Sequence, residues 1–399
     1  MFHKDVGKLR FGVPPEDSSM PTIRLFEDTA CSNLYPFHLV EGVAGIRHGA
    51  FTQAERWHTV ANQIENSVDV TLEVLARWIP DEKTASLLSS LRPGEALESA
   101  GVLMARSQTA TAGAPIVVRE MEHPPRLLAH ANQLFHELDE QLALDVSSLV
   151  DRWDLRPAKP GAFTAVYGPA DQFLIAEGVT VRAASIDTSN GPVLLGPGVT
   201  LEPGCHLAGP VLIHEGSTVK VGASIRGATV IGPHCKVGGE LSNVHFQGWA
   251  NKAHDGFLGN SVIGRWCNLG AGTTSSNLKN TYGEVRQWSE TEGELRPTGL
   301  QFCGLLMGDH SKCGIGTVFN TGTVVGPACV LYDVGFPPKH LLPFSWYDAR
   351  QGHMVVQDVD RMLSAADTVM ARRQKKMTPE AKANLTGLHA LRVRTSPEA

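Results

Sequence analysis

The stretch Leu195–Gly238, LGPGVTLEPGCHLAGPVLIHEGSTVKVGASIRGATVIGPHCKVG, decides the fold. Leu195, Leu201, Leu207, Ile213, Val219, Ile225, Ile231 and Val237 recur at unbroken six-residue spacing. Four residues after each of the first seven stands a mostly small or β-branched residue: Val199, Cys205, Val211, Ser217, Ala223, Thr229 and Cys235. Gly or a polar residue follows most of the aliphatic ones, as at Gly196, Glu202, Lys220 and Gly232. A helix would repeat at three and four residues and a half-buried strand at two. A period of six belongs to a parallel β-helix. Each hexad is a short flat strand plus a corner, three make one triangular coil, and the aliphatic side chains stack inward. The register resumes at Ile263 and Leu269, then at Met307, Cys313, Phe319, Val325 and Leu331. These positions predict a left-handed β-helix over residues 173–335.

Outward from the repeat, the chain divides further. Residues 1–21 are polar, carry prolines and are expected to be disordered. Residues 22–150 read as a small α/β domain. It opens on a strand, Thr22–Asp28, that ends in acidic residues. Gly42, Gly45 and Gly49 follow at a spacing that is not GxGxxG, which favours a plain turn over a phosphate loop. A helix is expected over Asp81–Leu91 with Asp81 as its cap, and another over Pro124–Leu144 on one apolar stripe. Short strands are expected at Val102–Ala105 and Pro115–Val118. Residues 151–172 form a Pro- and Gly-rich linker. Past the coil, residues 336–399 give an aromatic exit and C-terminal helices, the first over Val355–Met370. The basic run Arg372–Lys376 reads as a solvated continuation of that helix.

Composition narrows the function. A net charge of −6 disfavours a nucleic-acid partner. No apolar run is long enough to span a bilayer, and no apolar segment at the N-terminus reads as a secretory signal. The seven cysteines show no CxxC pair and fit buried thiols of a cytoplasmic protein.

One segment concentrates groups able to do chemistry: Asn251–Asn280, NKAHDGFLGNSVIGRWCNLGAGTTSSNLKN. Acyl transfer from a thioester to an amine needs a base, donors for a developing oxyanion, and aligned reactants. His254 suits the first role because imidazole ordinarily titrates near neutrality. It stands where the hexads lapse, so its ring is expected outside the apolar core. Asn268 and Asn277 can bond a sugar amide or hydroxyl, and the Ala271 N–H can face an oxyanion. Any one of these alone is more often structural. A zinc hydratase would need three converging histidines from His234, His245, His254 and His310. Their spacing does not suit it, and no metal site is expected. Polar Thr273–Leu300 is long enough for a functional loop.

This segment resembles the acetyltransferase signature of the bifunctional GlmU-type enzymes, glucosamine-1-phosphate N-acetyltransferases and N-acetylglucosamine-1-phosphate uridyltransferases. The resemblance implies that His254, followed by Leu258-Gly259, is the general base. It implies that Asn268 and Asn277 hold the amino sugar, and that Phe257 takes the place of a sugar-contacting tyrosine. Arg226 falls near a phosphate-binding arginine, and Lys252 or Lys279 is the substitute for a substrate lysine. Ala271, Asp309 (where the family has a serine) and Thr321 are the residues expected toward acetyl-CoA and the oxyanion. Over residues 22–375 the chain is similar to the GlmU-like sugar nucleotidyltransferases, through Leu34–Pro36, Glu55–Trp57, His254–Gly259, Gly299–Phe302, Met307–Lys312, Phe319–Gly326 and Gly335–Lys339. The same resemblance implies a homotrimer with sites between subunits, acetyl-CoA as co-substrate, and Mg2+ only with an active nucleotidyltransferase domain. Against nucleotidyl transfer, no Gly-x-Gly-Thr-(Arg)-Met loop is present to cradle a triphosphate. A non-catalytic sugar-nucleotide-binding or assembly protein on the same scaffold is the alternative.

Overall fold

Every aliphatic position of the hexad series, from Leu195 to Val237 and again from Ile263 to Leu331, is buried in one continuous apolar column. The computed structural model that shows this describes residues 11–12, 22–64, 71–108, 116–333 and 335–395. Short strands, most of two to four residues, stack in parallel along three panels of a triangular prism. Panel one holds Ala165–Tyr167, Ala184–Asp187, Cys205–Ala208 and Ser224–Arg226. Panel two holds Phe173–Ile175, Val193–Leu195, Val211–Ile213 and Thr229–Ile231. Panel three holds Thr180–Val181, Thr200–Leu201, Thr218–Val219 and Lys236–Val237. Paired positions such as Leu195, Ile213 and Ile231 lie one coil apart, so each aliphatic stacks on its own copy.

The coil is longer than the periodicity suggests. Its first strand is Ala165–Tyr167, inside the expected linker, and Ser345–Asp348 still pairs in parallel on panel three. The hexads fade at both ends because the ends are capped: Arg156–Pro157 and His353–Val356 each add one antiparallel strand. The latter strand delays the next helix to Val359–Ala371, and Pro379–Arg394 follows it.

The coil also does not lapse around His254. Asn251–Lys252, Phe257–Ile263, Asn268–Leu269 and Thr274–Ser275 all keep their places on the panels. Val237 pairs with Lys252, fifteen residues on, where the two coils before it take eighteen. A shortened corner therefore shifts the period, and a lysine in the inward slot hides it. The true interruption lies between Thr274–Ser275 and Leu306–Met307. There the chain leaves the prism and forms a hairpin, Arg286–Ser289 against Glu294–Pro297.

In the N-terminal domain, Thr22–Phe26 runs parallel to Thr71–Leu75 inside a mixed six-stranded sheet. Its edge strand Phe11–Gly12 lies in the segment expected to be disordered, the rest of which falls outside the described residues. Pro115, in an expected strand, is also outside them; the strand there is Val117–Glu120. Asp81 caps a turn, accepting from Lys83 N and Thr84 Oγ1, one turn ahead of the helix Thr84–Ser89. The helix expected from Pro124 begins only at Gln133, breaks at Glu137, and runs on as Leu138–Trp153. Leu127 is held instead in a bridge to Trp78, which keeps the Pro-Pro segment extended.

This domain covers panel two. Leu138, Leu142 and Leu149 pack on the outward Leu194, Leu212 and Val230. Gln247 exchanges two hydrogen bonds with the Arg47 backbone, at 2.7 and 2.9 Å. The corner between panels three and one stays open, with Val221, His254, Asp255 and Ile315 exposed.

Candidate functional site

His254 stands on that open corner, in the bend between Asn251–Lys252 and Phe257–Ile263. The pairing of Asn251 with Asn268 sets His254 beside Ala271 in the next coil. Asp255 Oδ1 accepts from the Gly272 N–H at 3.3 Å and ties the two coils together. The bend that carries His254 and the Gly-Ala-Gly turn thus lie side by side although seventeen residues separate them. Asn268 is exposed on panel three at the approach to the same corner.

Panel one carries the other members outward from this corner. Leu258 points into the prism, so Phe257 and Gly259 face out. A Cβ on Gly259 would lie 2.5 Å from Asn277 Nδ2 and 2.7 Å from Phe257 Cζ, so both side chains lean over this glycine. Asn277 Nδ2 donates to Asn260 Oδ1 at 2.8 Å. Asn260 has a left-handed φ of 47° at the corner between panels one and two, as does Asn243 at 55°. Asparagine tolerates that conformation better than most residues. Asn277 therefore extends a structural column at the edge of panel one. Arg226 is exposed two coils away in the same register and pairs with Glu240 at 2.5 Å.

Three expected contacts are not part of this arrangement. Lys252 is completely buried inside the prism, and its Nζ donates to the carbonyls of His254 at 2.8 Å and Asp255 at 2.6 Å. Burial pulls its pKa down to about 8, against the attraction of Asp255. It shapes the corner from within and has no surface to offer a substrate. Asp309 is 2% exposed at the corner between panels two and three, where it accepts from the Arg265 backbone N–H at 2.7 Å. Burial drives its carboxyl up to about 7, opposed by Arg265 and aided by Glu41. It braces the contact with the N-terminal domain, to which Arg265 also reaches through Glu41 and the Gly45 carbonyl. Thr321 is buried at the corner between panels one and two, and Val285 and Arg286 of the insertion cover its neighbour Gly322.

Two of the histidines weighed as metal ligands, His234 and His310, stack in a ladder with Trp249 and Trp266. All four hold left-handed corners. Among the described residues, no group of three or more His, Cys, Asp or Glu is placed to hold a metal ion. At the end of Thr22–Phe26, Asp28 is gripped by Arg77 through bonds of 2.7 to 3.0 Å, and Glu27 accepts the Val43 N–H at 2.6 Å. Burial lifts Glu27 to about 7. That acidic pair is committed within the protein and does not fit a Mg2+ site. No helix of the described residues is long and apolar enough to cross a membrane.

Sequence reasoning missed a cleft between the hairpin and the N-terminal domain, of about 530 Å³, lined by Asn33, Asn132, His136 and Trp288 among others. The length of the polar insertion signalled it, but the partner wall lies far away in sequence.

Comparison with known proteins bears mainly on the first domain. Residues 23–152 match the family profile described as "Sugar nucleotidyl transferase". No curated protein matches the chain. Among solved structures, one similar chain is a single-residue variant of AntD, an N-acyltransferase from Bacillus cereus, in complex with dTDP-4-amino-4,6-dideoxyglucose and coenzyme A. It is 11% identical, with 53% of this chain and 91% of that chain covered and a TM-score of 0.22. Another is a UDP-N-acetylglucosamine acyltransferase from Campylobacter jejuni, 15% identical, with 56% and 97% covered and a TM-score of 0.21. Overlap at that level bears on neither chemistry nor substrate.

Proposed function

We propose that the chain is an acyltransferase that moves an acetyl group from coenzyme A to the amine of an amino-sugar phosphate or a nucleotide-linked amino sugar. The observation that carries this reading is the placement of exposed His254 beside the Ala271 turn of the next coil. The amine nitrogen attacks the thioester carbon and passes a proton to the His254 imidazole. The C–S bond breaks, and the departing thiolate takes up a proton. The Ala271 N–H is the donor offered to the oxyanion formed between those events, since the Gly270 and Gly272 N–H groups are engaged by the Cys313 carbonyl and Asp255 Oδ1. Asn268, Asn277 and Phe257 supply hydrogen bonds and a ring face for the sugar, and Arg226, opposed by the single, partly exposed carboxylate of Glu240, exchanges it for the sugar's phosphate. A homotrimer, with the thioester presented across a subunit boundary at the open corner, completes the proposal.

The test is release of free coenzyme A thiol from acetyl-CoA in the presence of glucosamine 1-phosphate or a UDP-linked amino sugar. Wild-type protein is expected to release it, and His254→Ala to release it about 10²–10⁴-fold more slowly. Absence of release with every amino sugar tried would reject the proposal.

One observation favours a second reading, a sugar-nucleotide-binding protein without chemistry in its first domain. The sugar nucleotidyl transferase match covers a domain whose strand-end carboxylates are already engaged. Under it, UDP-N-acetylglucosamine raises the melting temperature and no product forms.

A further inference from the structure

The inserted hairpin leans on the N-terminal domain at its tip. Thr291 Oγ1 donates to Asn33 Oδ1 at 2.9 Å and lies 2.9 Å from Ser32 Oγ. Behind that contact opens the cleft of about 530 Å³, within the size range of small-molecule sites (roughly 300–1,000 Å³). Its walls come from parts of the chain more than a hundred residues apart: Asn33, Asn132 and His136 on one side, Trp288, Glu290 and Arg296 on the other.

The chemistry of these walls selects among ligands. A phosphate calls for unopposed cations or converging backbone N–H groups. Arg296 is instead held by Glu292 and by Glu294, the latter at 2.8 Å. Glu290 is itself buried and accepts the Trp288 indole N–H at 3.1 Å. Side-chain amides, hydroxyls and a carboxylate around an aromatic plate suit a ring bearing many hydroxyl groups. The plate is rigid, because Trp288 stacks on His340 at 4.0 Å and His340 is bonded to Tyr35 at 3.1 Å. We propose that this cleft is a second ligand site, separate from the His254 corner, which takes an uncharged, hydroxyl-rich ring: a sugar without phosphate.

The hairpin stem connects this cleft to panel one. Cys303 donates its N–H to the Asn277 carbonyl at 2.8 Å, and its thiol lies 3.9 Å from Asn132 Oδ1 on the cleft wall. A ligand that clamps hairpin to domain also steadies the stem from which Asn277 projects.

The test uses the full chain, with binding followed by saturation-transfer NMR and calorimetry. The probes are the methyl glycoside of N-acetylglucosamine, UDP and glucosamine 1-phosphate. The glycoside is expected to bind wild type and Asn268→Ala equally, Asn268 being a sugar contact assigned to the His254 corner. Its affinity is expected to fall at least tenfold in both Trp288→Leu and His136→Ala, whose melting curves are recorded beside it. Trp288 packs the hairpin and Asn33 tethers its tip, whereas His136 is exposed on the opposite wall. A loss in Trp288→Leu with none in His136→Ala therefore counts as a packing effect and overturns the proposal. So does the absence of glycoside binding, its loss in Asn268→Ala, or a cleft that binds only the phosphate-bearing probes. Because Asn268→Ala removes a sugar contact of the other site and leaves the cleft intact, failure here leaves the acyl-transfer reading standing, and the reverse.

Discussion

Lys252 Nζ lies 2.8 Å from the carbonyl oxygen of His254, so the exposed imidazole stands on a corner held from inside the prism. A second bond, to the Asp255 carbonyl at 2.6 Å, closes the bend. Lys252→Met keeps the apolar stem and removes both donors. A carbonyl left without a partner costs about 1–3 kcal/mol. The variant is expected to lose roughly 2 kcal/mol in denaturant unfolding, and its acyl-transfer rate is expected to fall although His254 is intact. Unchanged stability would mean that water satisfies the bend and that the lysine is not its support.

Asp309 gives a pH signature. Its folded pKa is lifted by burial to about 7, from an ordinary 3.8. Between those values the folded chain holds a proton that the unfolded chain has released. Stability from this group therefore falls as pH rises from about 4 to about 7, and each unit of displacement is worth about 1.4 kcal/mol. Glu27, raised to about 7, tilts the same way. Asp309→Asn keeps an oxygen for the Arg265 N–H and removes the titration. Urea unfolding at pH 5 and pH 8 is expected to show a smaller difference in the variant than in wild type, with no deficit at pH 8. Parallel pH profiles would show that Asp309 stays ionised in the fold.

Two glycines three residues apart are expected to behave differently. A Cβ at Gly259 meets only side-chain ends, those of Asn277 and Phe257. A Cβ at Gly256 runs into the Thr273 backbone carbonyl, at a φ of 106° that side chains rarely adopt. Gly259→Ala is therefore expected to cost no more than about 1–2 kcal/mol and to act on panel one, raising KM for the amino sugar. Gly256→Ala is expected to cost more, about 3 kcal/mol or above, since backbone cannot swing aside. Thermal melts of the pair decide it; equal losses would contradict the outward placement of Asn277.

The prism was legible because its inward slots are filled by aliphatics that differ from everything around them: Leu195 through Val237 needed no tertiary information. Legibility ended where a coil shortens. Lys252 occupies an aliphatic slot, and no periodic reading assigns a lysine to the interior of a coil. That Ala271 lies beside His254 followed only once the pairing of Asn251 with Asn268 was known. The hairpin was unreadable for a different reason. Its strands are four residues each, and what stabilises them, Asn33 and Tyr35 through His340, lies elsewhere in sequence. Asp309 and Thr321 were placed by resemblance to motifs, and motifs do not say which corner of a triangle a residue occupies.

His254 itself offers the most direct check on the acyl-transfer reading. Its side chain is exposed and its carbonyl, not its ring, makes the contact with Lys252, so the corner does not depend on the imidazole. Surface substitutions of that kind usually change stability by less than about 0.5 kcal/mol. His254→Ala and His254→Gln are therefore expected to melt with wild type. A general base contributes about 10²–10⁴-fold to rate, so both variants should lose two to four orders of magnitude in kcat. KM for acetyl-CoA should stay within a few-fold, because the ring is assigned to the proton and not to binding. A hydroxylamine-like acceptor, whose nitrogen loses its proton more readily, should recover part of the lost rate in His254→Ala. If KM rises while kcat holds, the imidazole is a binding group and the base lies elsewhere.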